Sequence, residues 1–198
     1  SIPFIERQSR KGVNPLADAY IATLEGDAGD LVLEHGNYRF KIDRQQVQFR
    51  KITAPDGTMS WKAFLRNGLI YTFSSTADSR AADPAAPTAV IRWHVSQIED
   101  RSGNRVNYSY HIDGRTNYIT SVEYGATAAA PHTFSIQFSY DTRPEIIGRF
   151  DIFGAARIAK RLSAITVIAA GARQRTYLLD YGSPSTATGR SLLRTVSI

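Results

Sequence analysis

Residues 134–140 read Phe-Ser-Ile-Gln-Phe-Ser-Tyr, with an apolar side chain at every second position. Successive side chains of a β-strand point to opposite faces, so this period of two is typical of a strand with one buried face. The same alternation recurs at 106–110 and 175–181, where tyrosine is frequent. The earlier alternating positions are Tyr38, Phe40 and Ile42, then Val47, Phe49 and Lys51, and then Trp61, Leu69, Tyr71 and Phe73. The pattern predicts strands along most of the chain.

Turn residues separate these runs. They are Asp56-Gly57, Asn67-Gly68, Ser102-Gly103-Asn104, Asp113-Gly114 and Gly182-Ser183-Pro184. Gly and Asn adopt the positive φ that tight hairpin turns require. Short strands separated by frequent turns indicate antiparallel pairing. The predicted fold class is therefore all-β: successive antiparallel β-hairpins that form one or two curved sheets, with little helix.

One segment, 155–165, fits two structures. Ile158, Leu162 and Ile165 have helical spacing, whereas Ile158, Lys160 and Leu162 fit an alternating strand. Both interpretations stay open at this point.

Two stretches rich in Ala and Pro, 81–88 and 126–131, are predicted to be surface loops. The first divides the chain into an N-terminal β region, 1–80, and a hairpin repeat region, 89–198. This is the expected domain organisation.

A short pattern recurs within the second region. At 95–98, 119–122 and 162–165 two apolar residues are spaced three positions apart. Each of these pairs is followed by an alternating, Tyr-rich run. A fourth start, at 193–196, has no such run after it. One hairpin cannot bury its apolar face alone, so neighbouring hairpins must stack. The unfinished copy predicts that this segment belongs to a longer chain.

The composition excludes several classes of protein. Of the 198 residues 42% are hydrophobic and 21% are charged, as in a folded chain, and there is no cysteine. Disulfide scaffolds, thiolate metal sites and cysteine nucleophiles are therefore absent. We expect no membrane-spanning segment, because no apolar run approaches the roughly 18 residues that a membrane helix needs. We also expect no signal peptide at the start of this sequence.

The motifs of common active sites are missing, and we assign no catalytic, cofactor-binding or metal-ligating residue. His35, His94, His111 and His132 lack the spacing of a helical zinc site. No Gly-x-Ser-x-Gly elbow occurs, although the members of a Ser-His-Asp triad need only converge in space.

Two acidic segments, 100–104 and 27–30, place oxygen-bearing side chains as calcium loops do. They lack the acidic density of an EF-hand. A turn in which the aspartate accepts backbone N–H bonds is the preferred interpretation of both.

Basic residues cluster late in the chain, and Lys and Arg outnumber Asp and Glu by 24 to 18. The cluster contains Arg143, Arg149, Arg157, Lys160, Arg161, Arg173 and Arg175. No phosphate-binding loop or RNA-binding motif accompanies it, so we predict no nucleic-acid partner. Arg at alternate positions of a strand usually marks a solvated face, and this is the expected role of these residues.

Several motifs follow one another in an order that is specific when taken together. The clearest is Ile-Glu-Asp-Arg-Ser-Gly-Asn at 98–104, followed by Tyr108-x-Tyr110. The others lie at 5–15, 18–20, 29–32, 36–39, 60–61, 67–68, 71–73, 118–119, 122–125, 143–144, 157, 161–162, 181 and 188–193. This order resembles the SpvB-type N-terminal domain of insecticidal toxin complex B components, and the hairpins resemble Rhs (YD-repeat) proteins.

The resemblance implies a secreted, extracellular bacterial toxin or virulence component. It implies a non-catalytic shell or scaffold domain without a cofactor, whose partners are the remainder of its own polypeptide and other toxin-complex subunits. The Glu-x-Glu pair of the related ADP-ribosylating enzymes is missing. The Rhs autoproteolysis motif is also missing, because Asp83-Pro84 is followed by two alanines.

Two alternative functions remain. A β-sheet module that recognises carbohydrate or a host-cell surface would be favoured by an exposed Trp61 or Trp93. An unrecognised hydrolase would be favoured by Ser, His and Asp side chains that converge in a deep pocket.

Overall fold

The computed structural model of the protein describes residues 2–8, 19–83, 85–127, 130–151 and 154–198. Its described residues form fifteen strands and one 3₁₀ turn, Ala77–Ser79. Their registered neighbours run antiparallel in one continuous sheet. The predicted all-β class, with successive hairpins and little helix, is confirmed.

The first nine strands come from the N-terminal half of the chain. They are β1 (Phe4–Arg7), β2 (Tyr20–Leu24), β3 (Asp27–Glu34), β4 (Asn37–Phe40), β5 (Gln48–Thr53), β6 (Met59–Phe64), β7 (Ile70–Phe73), β8 (Arg80–Asp83) and β9 (Ala86–Glu99). Strands β1 to β7 follow one another in the sheet, and β9 then pairs with both β7 and β1. The pairing of Ile5 with Trp93 therefore closes eight strands into a barrel.

The barrel interior holds the main core. In β1, β2, β4 and β7 every second residue is buried, because side chains alternate between the inside and the outside of a barrel. Trp61 lies at the centre, with its ring centroid 4.8 Å from that of Tyr20 and 5.1 Å from that of Tyr38. Buried Arg7 lies over the rings of Tyr20 and Trp93, and its Nε donates to the carbonyl of Val90 at 2.9 Å. These contacts pair the charge with aromatic faces and a carbonyl, as a buried cation requires.

Six further strands form the extension, which leaves the barrel from β9. They are β10 (Arg105–Asp113), β11 (Thr116–Ala126), β12 (Phe134–Asp151), β13 (Gly154–Ala169), β14 (Ala172–Tyr181) and β15 (Leu193–Ser197). They lie side by side in chain order and end at β15. The three recurring apolar starts found in the sequence fall on β9, β11 and β13, each followed by its Tyr-rich return strand, and the fourth start is β15.

Strand β9 belongs to both parts. Along one edge it pairs first with β8 and then with β7, and along the other edge it pairs first with β1 and then with β10. Its 14 residues allow this change of neighbours halfway along the strand. The barrel and the extension therefore share one backbone ladder.

The prediction of a surface loop at 81–88 is wrong. This segment contains β8 and the start of β9, which pair as a hairpin, and Ala81 is buried. Ala is small enough to pack there, and Pro87 falls between the registered pairs, so its missing N–H breaks no ladder bond. Pro84 lies outside the described residues. The division into 1–80 and 89–198 stays a prediction, and β9 joins the two parts.

The other local predictions have mixed outcomes. Segment 155–165 lies within β13, so the strand interpretation is confirmed and the helical one is wrong. Ladder pairing with β12 along the segment, joined by pairing with β14 from Ala164 onward, outweighs the weak helical spacing.

The turn predicted at 27–30 is also wrong, because β3 begins at Asp27 and the turn lies one step earlier, at Gly26. At Asn67-Gly68 and Asp113-Gly114 the glycines have positive φ, as predicted.

Candidate interaction surface

One face of the extension carries a continuous band of apolar side chains, which we call the open face. Directly opposite residues of paired strands share a face, so the register defines its members. They are Val106, Tyr108, Val122, Tyr124, Phe134, Ile136, Phe138, Ile165, Val167, Tyr177, Leu179 and Val196. The band crosses all six strands from β10 to β15.

The side chains of the open face are only partly covered. Phe134 is 40% exposed and Val196 is 53% exposed, and the others are half-buried. The corresponding rows inside the barrel are buried, because the opposite wall covers them. The extension is a single layer, so its apolar face lacks a wall of this kind among the described residues.

The open face continues the interior face of the barrel. Ile98 of β9 is registered with buried Tyr71 on one side and with Val106 on the other. Ile98 and Tyr108 both pack against the barrel core. The same apolar surface thus passes from a closed environment to an open one at the β9–β10 pair.

A charged group lies where the barrel ends and the open face begins. The hydroxyl of Tyr71 donates to the Glu25 carboxylate in the turn between β2 and β3. Burial, followed by this hydrogen bond, raises the pKa of Tyr71 above its ordinary value. Burial and the Glu25 charge also raise the pKa of Tyr108. Both phenols are therefore neutral donors at physiological pH.

The reverse side of the extension is polar, and we call it the polar face. Its registered members include Asn107, Ser121, Glu123, Ser135, Gln137, Thr166 and Thr176. Gln97 Nε2 donates to Asn107 Oδ1 at 3.0 Å, and Asn107 Nδ2 lies 2.8 Å from His132 Nε2. These groups satisfy one another at a surface in contact with water, so the two faces differ in chemistry.

The corner after β7, which contains Asp78 and which we call the junction, fastens the extension to the barrel. One carboxylate oxygen of Asp78 accepts the backbone N–H of Tyr110 at 2.7 Å, and the carbonyl of Asp78 accepts from Asn117 Nδ2 at 2.7 Å. The Tyr110 hydroxyl donates to the carbonyl of Val95 at 2.7 Å. Burial raises the pKa of Tyr110, so this donor stays protonated. The junction thus joins β10 and β11 to the barrel by hydrogen bonds as well as by β9.

A second polar cluster stabilises the distal end of the extension. Glu145 accepts the N–H and the hydroxyl of Ser191, both at 2.7 Å, and also pairs with Arg143 at 3.0 Å. The Ser191 N–H is the main cause that lowers the pKa of Glu145 from 4.5 to about 2. Arg161 donates to the Ser191 hydroxyl and lies over the Tyr181 ring. The loop before β15 is therefore held against β12 and β13.

The histidines considered in the sequence do not come together. His35 lies in the β3–β4 turn, the His94 ring lies 5.1 Å from that of Tyr110, and His111 is exposed. His132 is the member that contacts the polar face. Within the described ranges, no group of three or more His, Asp or Glu residues is placed to hold a metal ion.

The acidic segment at 100–104 forms a turn. Asp100 Oδ1 accepts the N–H groups of Ser102 and Asn104 at 2.8 and 2.9 Å. The bonds from Asn104 are the largest cause that lowers the pKa of Asp100. These protein donors occupy the carboxylate, and the turn interpretation is confirmed.

The basic cluster is spread along β12 to β14 and does not form one site. Arg143 and Arg161 belong to the distal polar cluster, whereas Arg157 and Arg173 are exposed. Arg175 lies over the Tyr177 ring at 6.0 Å. The side chain of Arg149, like residues 9–18 of the opening motif, lies outside the described part of the chain. None of the helical structure in the described residues has the length and apolar character needed to cross a bilayer.

The two alternative functions would be favoured by exposed tryptophans or by a pocket that contains Ser, His and Asp, and the described residues show neither. Trp61 and Trp93 are both fully buried and present no ring to a sugar. Four surface cavities of about 260 to 370 Å³ are lined by described residues, and none of these four contains Ser, His and Asp together. His35 and Asp43 line the same cavity, but the Asp43 carboxylate accepts backbone N–H groups of its own loop.

The sequence did not reveal the junction. Asp78 and Asn117 are single polar residues without a motif, and their partners lie 32 to 39 residues away. The signal that was present is the Tyr-x-Tyr motif, which contains Tyr110. The alternating apolar residues predicted the open-face members of β10, β12 and β14, but they did not indicate that this face would stay uncovered.

These features define a class of domain: a closed antiparallel barrel with an attached single-layer sheet that presents an apolar face. The family described as Salmonella virulence plasmid 65kDa B protein, SpvB, matches residues 19–139, which is more than half of the chain. The protein belongs to this family, and the resemblance stated from the motifs is confirmed. The Rhs and YD-repeat relationship stays a prediction.

Solved structures share the fold. The N-terminal domain of effector protein SpvB from Salmonella typhimurium strain LT2 has a TM-score of 0.85 at 16% identity, covering 100% of this chain and 86% of that chain. A complex of TcdB2, TccC3 and Cdc42 has a TM-score of 0.81 at 13% identity, covering 99% of this chain and 13% of that chain. The Tc holotoxin pore of Photorhabdus luminescens has a TM-score of 0.77 at 13% identity, covering 98% and 13%. No curated protein sequence matches this chain.

Proposed function

We propose that this chain is a non-catalytic structural domain of a secreted bacterial virulence or toxin-complex protein, and that β15 joins it to the remainder of its own polypeptide. The observation that carries the proposal is the free edge of β15. Among the described strands β15 pairs with β14 alone, and all five of its residues are exposed.

A free edge of this kind is a site for strand addition. It presents a row of N–H and C=O groups that another strand can pair with, and native proteins cover or block such edges. The eight barrel strands have partners on both sides. The short strand β8 also pairs with one strand only, but its four residues are buried or half-buried, unlike those of β15. The sheet is therefore proposed to continue beyond β15 by main-chain hydrogen bonding.

The sizes of the related toxin-complex chains support this proposal, whereas the solved SpvB N-terminal chain is itself covered to 86%. The matched fold occupies 13% of the chain in the TcdB2–TccC3 complex, so that chain continues well beyond it. Secretion, an extracellular location and contacts with other toxin-complex subunits are inferred for this protein from the family. No nucleic-acid partner, cofactor or catalytic residue is part of the proposed function.

Two observations favour a structural role over the alternatives. Trp61 and Trp93, the residues proposed for a carbohydrate-binding module, are buried in the barrel core. None of the four cavities lined by described residues brings Ser, His and Asp together. Packing and sheet continuation, by contrast, use the features that the extension does have.

Hydrogen exchange tests the proposal. The amides of β15 are compared between the 198-residue chain and the full-length protein that contains it, with the amides of β6 in the barrel as the internal control. We expect exchange of β15 to be at least about tenfold slower in the full-length protein and β6 to be unchanged. Equal exchange of β15 in both forms would contradict strand addition.

A further inference from the structure

We propose that a second β-sheet layer, contributed by the remainder of the same polypeptide, covers the open face. This inference rests on the proposed function, because it requires the longer chain, but it concerns the face of the extension and not its edge. The covering layer would lie about 10 Å from the extension, the usual separation of packed sheets.

The first argument is the extent of the apolar surface. The open face contains twelve apolar side chains on six consecutive strands, and they form one patch because neighbouring members are registered pairs. Soluble proteins rarely leave contiguous apolar patches larger than a few hundred Å² uncovered, and larger ones mark interaction sites. On the polar face the large registered apolar residues are Ile168 and Leu178 among polar neighbours, and they form no band across the six strands.

The second argument identifies the covering element as a sheet. Where this apolar surface lies inside the barrel, other strands of the same sheet cover it: the Tyr71 row packs under the opposite wall. Ile98 carries that row into the extension without a change of face. The members of the open face are mostly β-branched or aromatic and alternate along their strands, as on the inner face of a two-layer sandwich. The extension is therefore one half of such a sandwich.

The third argument separates the same polypeptide from a second copy. The register places Arg175 opposite Val167, so its guanidinium lies at the border of the open face beside Tyr177. The chain carries a net charge of +6. Two copies packed through this face would bring like charge together, whereas a different layer can place a carboxylate opposite Arg175. A related chain has ample length for such a layer, since the matched fold is 13% of it.

Single cysteines provide the test, because the sequence contains none of its own. Two matched pairs of variants differ by one position and therefore report opposite faces. Val167→Cys and Tyr177→Cys report the open face, and Thr166→Cys and Thr176→Cys report the polar face. Maleimide labelling rates are measured in the 198-residue chain and in the full-length protein, with circular dichroism as the check of folding. If a variant does not fold, Ile136→Cys with Gln137→Cys replaces its pair.

The expected result is protection of the open face only. In the full-length protein Val167→Cys and Tyr177→Cys should label at least about tenfold more slowly than in the 198-residue chain, and the polar-face cysteines should be unchanged. Equal labelling in both forms overturns the proposal. Protection in the 198-residue chain that rises with its concentration indicates a second copy and also overturns it.

The two proposals fail in different ways. If β15 amides are protected while the open-face cysteines label freely, strand addition stands and the covering layer is wrong. If the open face is protected while β15 exchanges freely, the covering layer stands and strand addition at β15 is wrong.

Discussion

The barrel and the extension are built from the same kind of alternating, aromatic-rich strand, yet they bury it differently. In the barrel Trp61, Phe49 and Phe73 are completely covered. In the extension Phe134 and Phe138 occupy equivalent inward positions and remain partly exposed. The difference arises from closure: a sheet that returns to its first strand supplies its own second wall. The comparison shows that an alternating pattern specifies a face and that topology determines whether the face is buried.

The largest expected effect comes from truncating the barrel core. Trp61→Ala removes contacts with Tyr20, Tyr38 and Trp93 and leaves a large cavity, so we expect a loss of about 3–5 kcal/mol in the free energy of unfolding. Urea unfolding followed by circular dichroism measures the loss. A loss below about 1 kcal/mol would mean that the barrel is not the stable part of the molecule.

The junction comes next. Asp78→Ala leaves the N–H of Tyr110 without its acceptor, and we expect a cost of about 1–2 kcal/mol. The effect should be local: amide exchange should rise in β10 and β11 and stay unchanged in β2 to β6. Asp56→Ala, in an exposed turn of the barrel, is the matched control. Uniform destabilisation of both parts would show that they unfold as one unit.

Truncation of the open face should have a smaller effect in the 198-residue chain. Phe138→Ala removes a ring that is already partly in water, so we expect about 1 kcal/mol or less. In the full-length protein the same substitution should cost clearly more, because the covering layer would lose its contact. Thermal unfolding of both forms makes the comparison, and equal losses would argue against a covering layer.

The smallest effect concerns pH and one loop. Hydrogen bonds from Ser191 lower the pKa of Glu145 to about 2 in the folded protein, against 4.5 for the free group. The stabilisation is therefore fully present above pH 4.5 and is lost as the pH falls towards 2, because the unfolded state binds the proton first. Exchange of the Ser191 amide, measured by NMR relative to an unprotected amide, should therefore become faster as the pH falls from 4.5 to about 2. In the Glu145→Gln variant the Ser191 amide should exchange fast by this measure at every pH. If the exchange in this variant still changes with pH as it does in the wild type, another carboxylate causes the effect.

Local patterns predicted much of this fold, and their failures have a physical cause. Tyr38, Phe49 and Tyr177 were placed on strands because period-two alternation is a local property of the sequence. The closure of β1 on β9 joins residues almost 90 positions apart, and no local pattern contains that information. The segment 81–88 was misread because its Ala and Pro content outweighed the pairing that Ala81 makes with Arg92.

The candidate surface was predictable to a similar degree. The alternating runs predicted the members of the open face on β10, β12 and β14, and the unfinished repeat at 193–196 predicted its last strand, whereas Tyr124 and Val167 joined the face only through the register. The sequence could not distinguish a closed face from an open one, because Tyr71 and Tyr108 occupy indistinguishable patterns. The junction at Asp78 depends on three-dimensional approach alone.

The shared strand β9 has a mechanical consequence. A force applied at Ile198 reaches β15 first. Once Ser191 is released from Glu145 and Arg161, the ladders of the extension are loaded one after another from that end. At β9 the arrangement differs, because β1, β7, β8 and β10 pair with both edges of this strand. Many backbone hydrogen bonds must therefore break at the same time. Under tension the extension would therefore unfold at a lower force than the barrel, which would remain folded.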